Sequence, residues 1–224
     1  MFSVSEPSSS VETENELSDF LRTLVRGGFV PRSDMVEEAL GFLDLGASAW
    51  GPRTELLLDT IWNQQLLEQA SWPAVTDFDR LQAAVSTLED SGVVVRQNFT
   101  CCGTCASHEI WEEIVEQVER GRAINGYAYF HMQDTDRAVE GGGLCFGYGA
   151  VGSPDDGYRA PNEPEASVAV GHRIQEALEK QGLRTEWSGT IERRVAVALD
   201  WKRRLPAEDL ETMARGQTSE GDTP

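Results

Sequence analysis

Basic residues are scarce in this chain of 224 residues: 19 lysines and arginines stand against 38 aspartates and glutamates, a net charge of −19. Such a surface repels phosphate backbones and anionic lipid over a Debye length. Nucleic acid is therefore not an expected partner. Long apolar runs are missing too; nowhere do about 18 apolar residues follow one another, so no membrane-spanning helix is expected. The opening MFSVSEPSSSVETENE has neither a basic stretch nor an apolar one behind it, so it does not read as a secretory signal. These absences point to a cytoplasmic chain, in which thiols stay reduced, and they make the N-x-T match at Asn98 a chance one.

A 40% share of hydrophobic residues suffices for a packed core. Polar, Ser/Glu-rich residues 1–14 and polar residues 205–224 have little to bury and read as disordered tails. Between them, Leu17, Phe20, Leu21, Leu24 and Val25 repeat at helical spacing up to Gly27-Gly28. Further helices follow Pro31 (Val36, Ala39, Leu40, Leu43 inward), follow Gly51-Pro52 (Leu58, Ile61, Trp62, Leu66) and run through Phe78, Leu81, Val85 and Leu88. Residues 15–91 thus form a helical segment. At Val93-Val94-Val95 the β-branched run starts a strand.

From there to residue 204 the order is strand (VVVRQNF), cysteine loop, helix (Trp111, Ile114, Val115, Val118 inward), strand (GYAYFHM), polar loop (QDTDRAVEGG) and strand (GLCFGYGAV). A helix through Val170, Ile174, Ala177 and Leu178 and strands near 183–187 and 195–199 complete it. The fold class is α+β: a helical N-terminal part, then a βαββαβ ferredoxin-like domain with an extra strand. A ferredoxin-like sheet has the order 4-1-3-2, which puts Cys145 on the strand beside the cysteine loop and His131 one strand farther, about 10 Å away at ~4.8 Å per strand.

Cysteine is also rare, at four residues, and three of them fall within NFTCCGTCASHE, residues 98–109. Cys102-x-x-Cys105 can straddle a tetrahedral zinc ion with thiolates about 2.3 Å away. No second Cys-x-x-Cys follows, so other ligands must come from His108, His131 and Cys145. On a continuous helix, positions 102, 105 and 108 would fan over about 120°, so loop geometry is required before Ser107. The same pair at a helix N-terminus suits thiol chemistry, since exposed N–H groups favour the thiolate; the thioredoxin fold is disfavoured, because no proline precedes a downstream strand where such enzymes use one. Small residues in a tight structural turn are the third reading, and all three stay open. Cys102, Cys105, His131 and Asp134 are the candidate catalytic residues. In HMQDTD, His131 and Asp134, with Asp136 and Glu140 nearby, suit a general acid/base pair or a metal site, or else a solvated turn.

GYGAVG, residues 147–152, matches G-x-G-x-x-G, but SPDDG follows in place of a helix, so no dinucleotide site is expected. DWKRR, residues 200–204, is basic enough to touch a phosphate, though a strand-end charge patch explains it as well. In QNFTCCGTCASHEI, YFHMQDTDRAVEGGG and LDWKRR, over residues 77–204, the sequence resembles a bacterial family of uncharacterised proteins known only as a domain of unknown function. That resemblance implies no activity, cofactor or partner. The function expected is a binding or regulatory module with a Cys/His-bearing loop; the alternative is a thiol oxidoreductase or zinc-dependent enzyme using the Cys-x-x-Cys loop.

Overall fold

The structure, a computed structural model, describes residues 10–153, 157–158, 161 and 164–206. Its elements run α1 (Ser10–Gly27), α2 (Met35–Phe42), α3 (Ala47–Gln69), α4 (Asp77–Asp90), β1 (Val93–Arg96), α5 (Gly103–Glu119), β2 (Gly126–Tyr129), α6 (Met132–Val139), β3 (Leu144–Ala150), α7 (Pro164–Lys180), β4 (Arg184–Glu186) and β5 (Val195–Ala198). The class is α+β with a helical N-terminal part. No helix among the described residues is long and apolar enough to cross a membrane.

The chain divides into two compact units, one ending at Pro73 and resuming at Lys202, the other spanning Ala74–Trp201. In the first, α1, α2 and α3 bury Leu17, Leu21, Val25, Met35, Ala39, Leu58, Ile61 and Trp62 together. The helical repeat read from the sequence is the reason, because those positions share one face of each helix. Helix α3 begins before Gly51-Pro52, with Pro52 inside its second turn. Lacking an N–H, Pro52 forgoes the bond that position would otherwise give to the Ser48 carbonyl, a loss confined to the N-terminal end of the helix.

Both expected tails are shorter than the composition suggests. Residues 10–14 are helical, so the N-terminal boundary at 14 is corrected to at most 9. Leu205, expected in the C-terminal tail, is buried in the first unit's core, and its N–H donates to Gln69 Oε1 at 3.0 Å. Residues 1–9 and 207–224 lie outside the described residues. The DWKRR segment crosses the boundary between units, and its Arg203 lies over the Phe29 ring at 4.0 Å, packed rather than displayed.

In the second unit, α4 packs on β1 and α7, so the helix expected to close the helical segment belongs with the sheet. A capping box fixes its start: Thr76 Oγ1 accepts from the Asp79 N–H, and Asp79 Oδ2 accepts from the Thr76 N–H at 2.8 Å. The sheet order is β1-β2-β3-β5-β4, with β1 and β2 parallel and all other pairs antiparallel. This corrects the ferredoxin-like expectation. There the third strand separates the first two, whereas here β2 lies directly against β1, with Val94 opposite Tyr127. The stretch expected as a polar loop, QDTDRAVEGG, mostly forms α6.

Register sorts the side chains onto two faces. Val93, Val95, Ala128, Phe146, Ala150, Val195 and Val197 face α4 and α7, and Val94, Tyr127, Tyr129 and Arg96 face α5. Helix α5 turns Ala106, Ile110 and Ile114 inward, while Val115, expected inward, is half exposed. Across from Tyr127 and Tyr129 stand Gly149 and Gly147. The two rings lie parallel, 6.3 Å apart, over these glycines: a Cβ on Gly149 would meet the Tyr127 ring at 2.6 Å, and one on Gly147 the Tyr129 ring at 2.7 Å. Trp111, edge-on to Tyr127 at 5.7 Å, limits how far that ring can retreat. Gly149→Val is therefore expected to destabilise the fold by about 1–3 kcal/mol through overpacking, read as a lower urea midpoint. An unchanged midpoint would contradict the glycine seat.

Candidate metal centre

After β1 the backbone passes twice through the left-handed region, at Asn98 (φ 52°) and Thr100 (φ 56°). Asparagine tolerates that conformation, but a β-branched threonine does not adopt it without support. The support is visible. The Phe99 N–H donates to the Phe130 carbonyl at 2.9 Å, the Met132 N–H donates to the Thr100 carbonyl at 3.1 Å, and Thr100 Oγ1 donates to the Cys102 carbonyl at 3.2 Å. These bonds tie the loop after β1 to the chain after β2. Backbone strain held by surrounding structure in this way clusters at functional sites.

The two reversals deliver Cys101 and Cys102 outside the helix and Cys105 inside its first turn. Cys102 is the N-cap of α5 in an extended conformation. Cys105 Sγ lies 3.5 Å from Cys101 Sγ and 3.8 Å from Cys102 Sγ, and all three sulfurs lie within 4.8 Å of one another. Two sulfurs bound to one tetrahedral ion at 2.3 Å stand about 3.8 Å apart, whereas a disulfide needs about 2.05 Å. The spacing is compatible with shared ligation of one ion and equally with hydrogen bonds between the thiols. Cys101 is exposed, the other two are half-buried, and all are free thiols.

The thiols differ in acidity. The Cys102 pKa is lowered, first by the Cys105 N–H and then by the Thr104 N–H, which face its sulfur at the helix start although they make no capping bond of ordinary geometry. The neighbouring thiols of Cys105 and Cys101 add to this. Cys105 is pushed up to about 11 by its hydrogen bonds with the Cys101 and Cys102 thiols and by the negative charge those sulfurs carry. The cluster therefore has one sulfur disposed to ionise and one that holds a proton.

The remaining residues expected as ligands lie elsewhere. His108 is exposed on α5 and does not join the sulfur group. Cys145 sits on β3, where its carbonyl accepts from Arg194. The sheet order explains this, since β2 separates β3 from β1. His131 is the nearer of the two: its Cδ2 and Nε2 lie 3.7 Å from where a Cβ on Gly103 would be. Both of its ring nitrogens are engaged. His131 is the N-cap of α6; Nδ1 accepts from the Asp134 N–H at 3.3 Å, and Asp134 Oδ2 accepts from the His131 N–H at 3.2 Å. Nε2 lies between Asp134 Oδ2 at 3.2 Å and the Arg194 guanidinium at 3.3 Å. His131 and Asp134 are thus a buried structural pair at the edge of the cysteine loop.

Sequence reading missed one member of this arrangement and left another, grouped with the loop cysteines, off the list of ligands. Arg194, some 60 residues on, donates to Asp134 Oδ2 and also approaches His131 Nε2 at 3.3 Å. Only the pairing register, which sets Arg194 on the face of Gly147 and Tyr129, reveals it. Cys101 is the other; an i, i+4 pair of cysteines is adjacent on a helix, but here the contact depends on the turn before it.

A strained, pinned loop presenting three thiols within ligand distance defines a chain with a candidate thiolate metal centre. Residues 10–205 match the family model described as Domain of unknown function (DUF6891), and the chain belongs to that family. No curated protein and no solved structure matches it.

The His131 pKa is lowered, mainly by burial; Asp134 opposes this, while Arg194 and Arg137 reinforce it. A histidine kept neutral in the fold but free to protonate when unfolded gives stability that is complete above pH ~6.5 and declines as pH falls below that value toward the folded pKa. Asparagine caps a helix without titrating. The wild-type urea midpoint should therefore fall relative to that of His131→Asn as pH drops below about 6.5; a difference independent of pH would contradict the neutral, buried ring.

Proposed function

We propose that the protein is a binding module whose site is a zinc ion held by Cys101, Cys102 and Cys105. The observation that carries this reading is the sulfur spacing, 3.5 and 3.8 Å about Cys105, which is close to that of thiolates sharing one ion. Chemistry supports it as well. Binding removes the thiol protons, and the helix-start N–H groups that lower the Cys102 pKa supply part of the stabilisation for that charge. Three protein ligands leave the fourth position of a tetrahedral ion open, as catalytic zinc sites do, and in a binding module that position would take a partner's side chain. His131, whose ring nitrogens serve Asp134, is not assigned to that position.

A second reading, dithiol exchange, draws on one observation: a low-pKa Cys102 three residues from a protonated Cys105. In that chemistry the Cys102 thiolate attacks a substrate disulfide, one substrate thiol leaves, and Cys105, after losing its proton, displaces the second while Cys102–Cys105 becomes the disulfide.

Elemental analysis of the full chain after zinc loading and desalting separates the two. The expected result is one zinc per chain, lost in Cys102→Ser and in Cys105→Ser, with chelation exposing the three loop thiols to a thiol reagent. A chain without zinc that instead cycles reversibly between a Cys102–Cys105 disulfide and free thiols would overturn the zinc reading in favour of exchange.

A further inference from the structure

The second unit also carries a cleft of about 1040 Å³ at the end of the sheet where β3 and β4 begin and β5 ends. Its size is at the upper end for small-molecule sites. Helix α5 packs on β1 and β2; farther along the same face, register sets Cys145 beside Ala196, and Ala196 and Ala198 beside Glu186 and Arg184. Ala196 is half-buried and Ala198 exposed. These short side chains make a flat floor. One wall is the Gly141–Gly143 turn, where Gly143 is left-handed (φ 70°) and so close to β5 that a Cβ would lie 2.6 Å from the Val197 carbonyl oxygen.

Three guanidinium groups from three elements line the cleft: Arg80 of α4, Arg137 of α6 and Arg184 of β4. Three acids line it too, Asp77, Glu186 and Asp200. Parity is a local departure from the twofold acidic excess of the whole chain. Asp77 and Arg80 pair with each other at 3.0 Å, and Asp77 also accepts from the Asp200 N–H at 3.1 Å, so Arg80 reaches a ligand only as a shared partner. Arg137 is anchored by Asp134 at 3.2 Å, while the exposed Arg184 guanidinium has no acidic partner among the described residues.

We propose that this cleft binds a small organic anion, a flat body lying on the alanine floor with a phosphate or carboxylate held by Arg184 and Arg80. Guanidinium forks match both oxyanions, and their charge-assisted hydrogen bonds carry more energy than neutral ones. Cys145, on the floor, is a built-in reporter. Alkylation of Cys145 by N-ethylmaleimide, followed by peptide mass spectrometry on the full chain, is measured with adenosine 5′-monophosphate, benzoate or uncharged adenosine present. Millimolar adenosine monophosphate or benzoate is expected to slow it about tenfold, as a ligand in about tenfold excess over its Kd does. Slowing by the nucleotide alone assigns a phosphate ligand, by benzoate alone a carboxylate, and by both a general oxyanion site. In Arg184→Gln and Arg80→Gln, both exposed positions, the concentration needed should rise about tenfold or more. Absence of slowing by either anion, equal slowing by adenosine, or unchanged slowing in both variants would overturn the proposal.

Discussion

The buried carboxylate of Asp134 is the constraint on which the cysteine loop's surroundings in the second unit depend. Its side chain is 4% exposed, yet it serves Arg194, Arg137 and both the ring and the backbone N–H of His131. A carboxylate removed from water this completely is tolerable only with such partners. In meeting its own need it completes the capping box of α6 and holds the His131 ring against Gly103 of the cysteine loop. Arg194, drawn to the same carboxylate, also takes the Cys145 carbonyl. One buried charge therefore orders the chain after β2, the start of β3 and the residue before β5.

The cysteine loop is held by the same surroundings from the other side. Hydrogen bonds between Phe99 and Phe130 and between Met132 and Thr100 flank His131, so a loop with two left-handed non-glycine residues is kept in one conformation. Preorganisation of this kind is what the proposed metal site would need from its scaffold. The Asp134 network also reaches the cleft: Arg137 both pairs with Asp134 and lines it, and Cys145, whose carbonyl accepts from Arg194, lies on its floor.

Helices α1 to α4 and the α7 core were legible because a periodic apolar stripe is a local signal; of the stripe expected on α5 only Ile114 is buried, beside Ala106 and Ile110, which were not read. The polar α6 was not legible. Its buried side is a network of charges rather than a stripe, and its cap is a histidine in place of the usual serine or aspartate. Strand positions were readable at Val93–Val95 and Gly126–Tyr129, but period-two alternation says nothing about which strand lies beside which, and the ferredoxin-like order failed there. The same failure placed Cys145 next to the cysteine loop and His131 beyond it, the reverse of what the sheet shows. The Cys-x-x-Cys pair was readable from spacing alone; Cys101 required the left-handed turn at Thr100, and Arg194 required the register of β3 with β5.

The central claim is that three sulfurs of one loop share one ion. X-ray absorption at the zinc edge of the zinc-loaded full chain tests it without recourse to activity. The account predicts three sulfur scatterers at about 2.3 Å with one lighter neighbour completing the shell. A shell of nitrogen and oxygen alone, or one with fewer than three sulfurs, would contradict it.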